Sequence, residues 1–256
     1  MRKSLVLLAL AASVGATSPA SPYINSITKA GGHHGATGSF VLLELFTSEG
    51  CSSCPPADDL LGEIARRARK TGTPIYALSF HVDYWNYIGW TDPYSDTAFS
   101  ERQRQYAAAF NNSQIYTPQI VVNGQDAFVG SNRSKLEAAI KSELNGPPVR
   151  PITIELVKNP GKNSTLSYAV SDLPENTVLH LAIVERNLSQ KVNRGENSGR
   201  TLRHQNVVRY FETVGKREGL ISFELPQDVR EENCSVIAYI QNHLNMTVLA
   251  ATQIDF

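Results

Sequence analysis

Three cysteines in a chain of 256 residues cannot frame a small disulfide-stapled domain, so a hydrophobic core must hold this protein together. There is no excess of one charge either. Lys and Arg total 24 against 24 Asp and Glu, which withholds the basic field nucleic acid requires and any acidic field for basic partners. The apolar run Leu5–Val14 covers about ten residues, well short of the ~20 that span a bilayer as a helix. Internal repeats and low-complexity tracts are missing, no cofactor is expected, and nothing signals an oligomeric state. What is present is 41% hydrophobic and 19% charged residues, a composition that buries a core and excludes disorder. The length fits one large domain or two ordinary ones.

Arg2 and Lys3 precede the apolar run, and the small residues Gly15 and Ala16 follow it. A positive start, a short apolar stretch and a small-residue cleavage site form the pattern of a secretory signal peptide. Residues 1–20 are therefore expected to be the signal and 21–38, rich in Ser, Thr, Pro, Gly and Ala, a linker. The expected location is extracytoplasmic, secreted or periplasmic, where disulfides persist.

From Phe40 the chain alternates. Phe40–Phe46 and Ile75–Phe80 are near-continuous apolar runs, as in strands buried on both faces. Ala57–Lys70 and Asp96–Phe110 carry helical spacing. Asn123-Gly124 joins two short strands in a tight hairpin, and Ser134 with Glu137 reads as the capping box of a third helix. The order β-α-β-α-β-β-α predicts a compact α/β layer structure over 39–146. Asn145-Gly146-Pro147-Pro148 then breaks the chain. Helical spacing ends there, and the regularly spaced strands of 150–256 predict a mostly antiparallel β-sandwich domain. The polar connection Asn187–Asn206 is the longest.

Chemistry concentrates at Cys51-Ser52-Ser53-Cys54, between a buried strand and a helix start. Cysteines two residues apart can close a disulfide across one turn. The helix N-terminus lowers the thiol pKa of the first sulfur, which is expected to be the exposed nucleophile. Structural zinc would need two further ligands that a second cysteine pair does not supply, so no metal is assigned. Tyr116-Thr117-Pro118-Gln119-Ile120 places a proline where a strand opens, and a cis bond in the preceding loop would account for it.

Strand, CxxC turn, helix and a later Thr-Pro before a hairpin resemble the thioredoxin superfamily. The runs Leu43–Asp58, His81-Val82-Asp83-Tyr84-Trp85, Gly89-Trp90, Gly195-Glu196-Asn197, Gly199-Arg200-Thr201-Leu202 and Val207-Val208-Arg209 resemble a family of secreted thioredoxin-like proteins catalogued as a domain of unknown function. The resemblance implies a thioredoxin-like fold ahead of the β-sandwich. It makes Cys51 the attacking thiolate, Cys54 the resolving thiol and Pro118 a cis-proline facing them. Thr117 would then offer backbone hydrogen bonds to an extended substrate. Two departures stand out. Gly50 occupies the usual tryptophan position, removing one wall of a substrate groove. Leu45 occupies the position of the usual buried acid, with Glu44 one step earlier and so on the opposite strand face.

The segment His81–Tyr94 holds Trp85 and Trp90 at the sheet edge of the CxxC turn, suited to gripping a peptide or shielding the sulfurs. His81, Asp83 and Glu44 are the acid–base candidates. Arg200, Arg203 and His204 could reach across from the long connection, and Cys234, at the start of an apolar strand, reads as a buried, inert thiol. Three functions fit. The first is a thiol–disulfide oxidoreductase acting on extracytoplasmic protein thiols or disulfides. The second is a soft-metal (copper) binding or delivery protein using the thiolates, and the third a non-catalytic protein-binding scaffold.

Overall fold

The computed structural model describes residues 38–149, 151–158 and 163–256. The expected signal peptide, and the expected linker up to Gly38, lie outside them.

β1 (Val41–Thr47) is buried along its whole length. Its alternation sends Val41, Leu43 and Leu45 toward the helix α1 (Pro55–Thr71), while Leu42 and Phe46 enter a second core on the other face. Two prolines open α1, where backbone donors lack helical partners anyway. Leu60, Leu61, Ile64 and Ala68 form its buried stripe, and Gly72, at φ +68°, ends it by donating its N–H to the Ala68 carbonyl. β2 (Ile75–His81) lies parallel to β1, with Thr47 beside His81 in the register. α2 (Thr97–Ala109), β3 (Gln119–Val122), β4 (Asp126–Val129) and α3 (Arg133–Leu144) complete the first half, β3 running antiparallel to β1 and β4 to β3. The hairpin turn falls on Asn123 and Gly124, both with positive φ. A Cβ on Gly124 would lie 1.8 Å from the Met246 carbonyl oxygen, so a side chain is excluded there. The expected capping box is corrected. Asn132, not Ser134, caps α3, its side chain accepting the Lys135 N–H, because an Asn two residues earlier already offers a competent cap.

The strands expected after residue 150 are present, and most of them extend the first sheet. β7 (Thr177–Glu185), β10 (Val207–Val214), β12 (Cys234–Asn242) and β13 (Val248–Asp255) join β1–β4 in an eight-stranded mixed sheet of order β13-β12-β7-β10-β2-β1-β3-β4. The seam is short. Val207 pairs with Ser79, the Ser79 N–H donates to the Asn206 carbonyl at 2.8 Å, and the Asn206 amide donates to the Ala77 carbonyl at 2.8 Å. β5 (Ile152–Lys158), β6 (Asn163–Val170) and β11 (Glu218–Glu224) form a separate three-stranded sheet. It covers one face of β7, β12 and β13 through Ile154, Leu166, Phe223, Leu181, Val236 and Ile254. The opposite face of the large sheet is a core shared by both halves, with Phe46, Phe80, Phe99 and Tyr106 against Val184, Val208, Ile237 and Tyr239.

Within that shared core Arg102 of α2 is buried among the rings of Phe80, Tyr106, Phe211 and Tyr239, each 5.2–5.6 Å from its guanidinium carbon. It donates to both carboxyl oxygens of Glu44, at 2.6 and 2.9 Å, and to Gln241 of β12. Among the described residues no helix is long and apolar enough to cross a membrane.

Candidate functional site

Cys51 and Cys54 are joined by a disulfide, with Cα atoms 5.4 Å apart, at the mouth of α1. Cys54 is the helix N-cap residue, and its carbonyl accepts the Ala57 and Asp58 N–H groups. The expectation of an exposed first sulfur is corrected: both cysteines are wholly buried. Two segments seal them.

One is the aromatic segment after β2, a short 3-10 helix over Asp83–Ile88. Trp85 sits against Gly50 so closely that a glycine Cβ would meet the Trp85 Cβ at 3.0 Å. The wall that Gly50 removes is thus rebuilt by Trp85 from another element. The Trp85 indole N–H donates to the Thr117 hydroxyl at 2.7 Å, tying this segment to the Thr117–Pro118 bond, which is cis. Trp90 donates its indole N–H to Glu49 at 2.8 Å.

The other is the expected long connection. It folds as a hairpin of β8 (Leu188–Lys191) and β9 (Thr201–His204), whose tip, residues 192–200, lies as a strap over the CxxC turn. The buried Asn197 amide donates to the Glu49 carbonyl at 2.8 Å and the Cys51 carbonyl at 2.9 Å, and Arg200 holds its other side-chain atom at 2.7 Å. The Ser52 N–H donates to the Glu196 carboxylate at 3.0 Å, and the Ser52 hydroxyl and N–H together hold that carboxyl below its ordinary range. Gly195, at φ +73°, packs on Ile88 and Trp90.

Beneath the first turn of α1 lies a polar cluster. Thr47 and His81 are register neighbours and so point to one face of the sheet, the face α1 covers. His81 Nδ1 donates to the Asp92 carboxylate at 2.7 Å, both side chains being fully buried. Burial pushes the Asp92 carboxyl up, but His81 and the Glu49 and Tyr94 N–H groups outweigh it and hold it below its ordinary value. His204, arriving on β9, binds Glu49 through Nε2 at 3.0 Å. The two imidazole rings stand edge to face, 4.8 Å between centroids, with Tyr94 against both. Asp58 descends from α1. Burial raises its carboxyl to about 7, with the charge of His204 and the nearness of Thr47 pulling it partly back. Asp58 Oδ1, Thr47 Oγ1, His81 Nε2 and His204 Nδ1 are all buried and have no hydrogen-bond partner.

The structure therefore gathers Cys51, Cys54, His81, Trp85, Trp90 and Thr117 around one sheet edge, with Pro118 adjoining, and brings His204 to them. Two acid–base candidates are placed elsewhere. Glu44 is committed to Arg102 on the opposite sheet face. Asp83 accepts the Thr97 and Ser100 hydroxyls at the start of α2, which hold its carboxyl low. Sequence reasoning assigns no role to Asp92, and it meets Glu49, Asp58 and Asn197 only as members of motifs. Asp58 has a signal: it stands three residues before Leu61 on the apolar stripe, whereas Asp59 faces solvent. Among the described residues no group of three or more His, Cys, Asp or Glu side chains is arranged to hold a metal ion.

The comparisons with known proteins place the chain at the level of family and fold. It belongs to the family described as "Protein of unknown function (DUF1223)", matched over residues 42–241. The crystal structure of protein AGR_C_4864 from Agrobacterium tumefaciens is similar to it at 26% identity and a TM-score of 0.59, covering 86% of this chain and 96% of that one. HBP35 of Porphyromonas gingivalis is similar in fold, at 15% identity and a TM-score of 0.55, over 87% of this chain and 76% of that one. No curated protein matches.

Proposed function

We propose that this protein is an extracytoplasmic thiol–disulfide exchange protein in which a thioredoxin-like half carries the Cys51–Cys54 couple and a β-sandwich half supplies the strap above it. The observation that carries the reading is the disulfide at the mouth of α1 with a buried carboxyl, Asp58, one turn behind it, whose Oδ1 has no hydrogen-bond partner. A carboxyl raised to about 7 can hold or release a proton at neutral pH, the requirement of a group serving a thiol. The order β2-β1-β3-β4, with β1 and β2 parallel and β3 antiparallel, and the cis Thr117–Pro118 bond support the thioredoxin-like assignment. The signal-like residues 1–20 support the location.

In the reaction, a substrate thiolate attacks Cys51 Sγ as the strap lifts. The Cys51–Cys54 bond breaks, its electron pair goes to Cys54 Sγ, and Asp58 supplies that sulfur with a proton through water. A second thiol of the substrate, losing its proton, attacks the substrate sulfur of the mixed disulfide and releases Cys51 as the leaving thiolate. Two electrons pass from a protein dithiol to the couple, which ends as the Cys54 thiol and the Cys51 thiolate; the proton Cys54 gains comes from Asp58, and the second substrate thiol releases one proton. The reverse sequence reduces a protein disulfide.

Cys54→Ser is expected to trap a covalent partner in the extracytoplasmic fraction, resolved on non-reducing gels and identified by mass spectrometry, while Cys51→Ser traps little. Full function of the double variant with no trapped partner would refute the exchange reading and leave a scaffold. Stoichiometric copper binding lost equally in both single variants would replace it with metal delivery.

A further inference from the structure

We infer that His81 and His204 form a proton relay for the Cys51–Cys54 couple, joined to Asp58 through the polar cluster beneath the first turn of α1; this rests on the exchange reading above. Four elements meet there: Thr47 at the end of β1, Asp58 on α1, His81 at the end of β2 and His204 on β9. Each presents one buried polar atom with no protein partner. Buried groups of this kind are normally satisfied, and water is the usual partner where several polar atoms converge.

The two histidines are built alike. Each has one ring nitrogen fixed by a carboxylate, Asp92 on His81 Nδ1 and Glu49 on His204 Nε2, and the other nitrogen free. A carboxylate on one side sets the tautomer, so the free nitrogen of the neutral ring is a proton acceptor. An imidazole so held takes a proton at the free nitrogen and passes one on without turning. The remaining charged and titratable groups around the pair are Tyr94, whose ring closes the far side, and Arg209, which lies over Tyr94 and is itself bound to Glu185. Glu49 also links the pair to the couple physically: its carbonyl and that of Cys51 share the Asn197 amide, and its carboxyl binds Trp90.

When the disulfide opens, Asp58 gives its proton to Cys54 Sγ and becomes a carboxylate. The relay restores it by accepting a proton from solvent or from the second substrate thiol and passing it to Asp58, with water as the carrier between these groups. One proton enters for each one delivered. No oxidant beyond the disulfide and no reductant beyond the substrate dithiol is required.

Reduction by dithiothreitol tests this without the physiological partner, so a failure here is distinct from a failure to trap one. His204→Gln is expected to slow reduction about tenfold at pH 8, where Asp58 is ionised, and to leave it unchanged at pH 5, where Asp58 already carries a proton. A variant that melts like the wild type yet keeps the wild-type rate at both pH values overturns the relay. In the unmutated protein, ¹⁵N spectra should show a bare nitrogen at His81 Nε2 and at His204 Nδ1, in the oxidised and reduced forms alike. A proton resting on either of those nitrogens, with the carboxylate-bound nitrogen bare, overturns the proposal. Stoichiometric binding of added Zn²⁺ that is lost in His81→Gln also overturns it, replacing a relay with a metal site.

Discussion

Asp58→Asn should stabilise this protein, and by an amount that depends on pH in a defined way. The Asp58 carboxyl rises from 3.8 to about 7 on folding, because burial disfavours its charged form. The folded chain therefore binds this proton more tightly than the unfolded chain, and the fold loses stability as pH climbs from about 4 to 7. A rise of that size costs about 4 kcal/mol, fully expressed above pH 7 and amounting to roughly 1.6 kcal/mol at pH 5. Asparagine has nearly the same shape and no charge to bury, so it removes this cost. Urea unfolding of the oxidised protein, followed by the fluorescence of Trp85 and Trp90, measures it directly. The variant should gain about 4 kcal/mol at pH 8 and less than half of that at pH 5. An equal gain at both pH values, or a loss at pH 8, would refute the account of Asp58 as a buried carboxyl whose charge its surroundings compensate only in part.

Glu44→Gln should cost about 3–5 kcal/mol, since it strands the buried Arg102 charge, while leaving disulfide reduction kinetics in the native state unchanged; chemical denaturation and a thiol assay check the two halves of that statement. Asn197→Ala removes the amide shared by the Glu49 and Cys51 carbonyls; it should cost about 1–3 kcal/mol and speed reduction of the native protein by dithiothreitol, an unchanged rate counting against the strap as the cover. Burial pushes the Cys234 thiol up to about 12, so native oxidised protein should react with no thiol reagent and unfolded oxidised protein should show one thiol per chain.

Local pattern makes much of the first half legible. A CxxC between a buried strand and a helix opened by two prolines, a Thr-Pro before a strand and an Asn-Gly turn are chemical constraints on the backbone, and each sits where its chemistry requires. The site behind the disulfide is harder to read because its members are far apart in sequence and individually ordinary. Glu49 reads as a loop residue until β9 delivers His204 to it, and Asp92 lies in an aromatic loop where Asp83 is equally plausible as the partner of His81. What separates the two aspartates is depth: Asp83 meets hydroxyls at the start of α2, while Asp92 is enclosed with the imidazole. The β-rich half shows the same limit. Its strands are visible as apolar stretches, but the parallel step from β2 to β10 is not, since a seam made by Ser79, Val207 and one asparagine has no periodicity.

That seam bears on how the protein can be cut. The proline-rich stretch after α3 invites excision of residues 38–146, yet such a fragment would keep β2 with an open edge of unpaired backbone groups. It would also lack Gln241, which shares Arg102 with Glu44, and the Asn197 clasp over the cysteines. Exposed strand edges recruit other chains. The piece that looks most self-sufficient in the sequence is thus the one least suited to live alone, and the partner that would heal it is the rest of the same polypeptide. Two separately expressed fragments divided at this stretch would be expected to find each other, as a lock finds its one key, and to recover a folded protein only together.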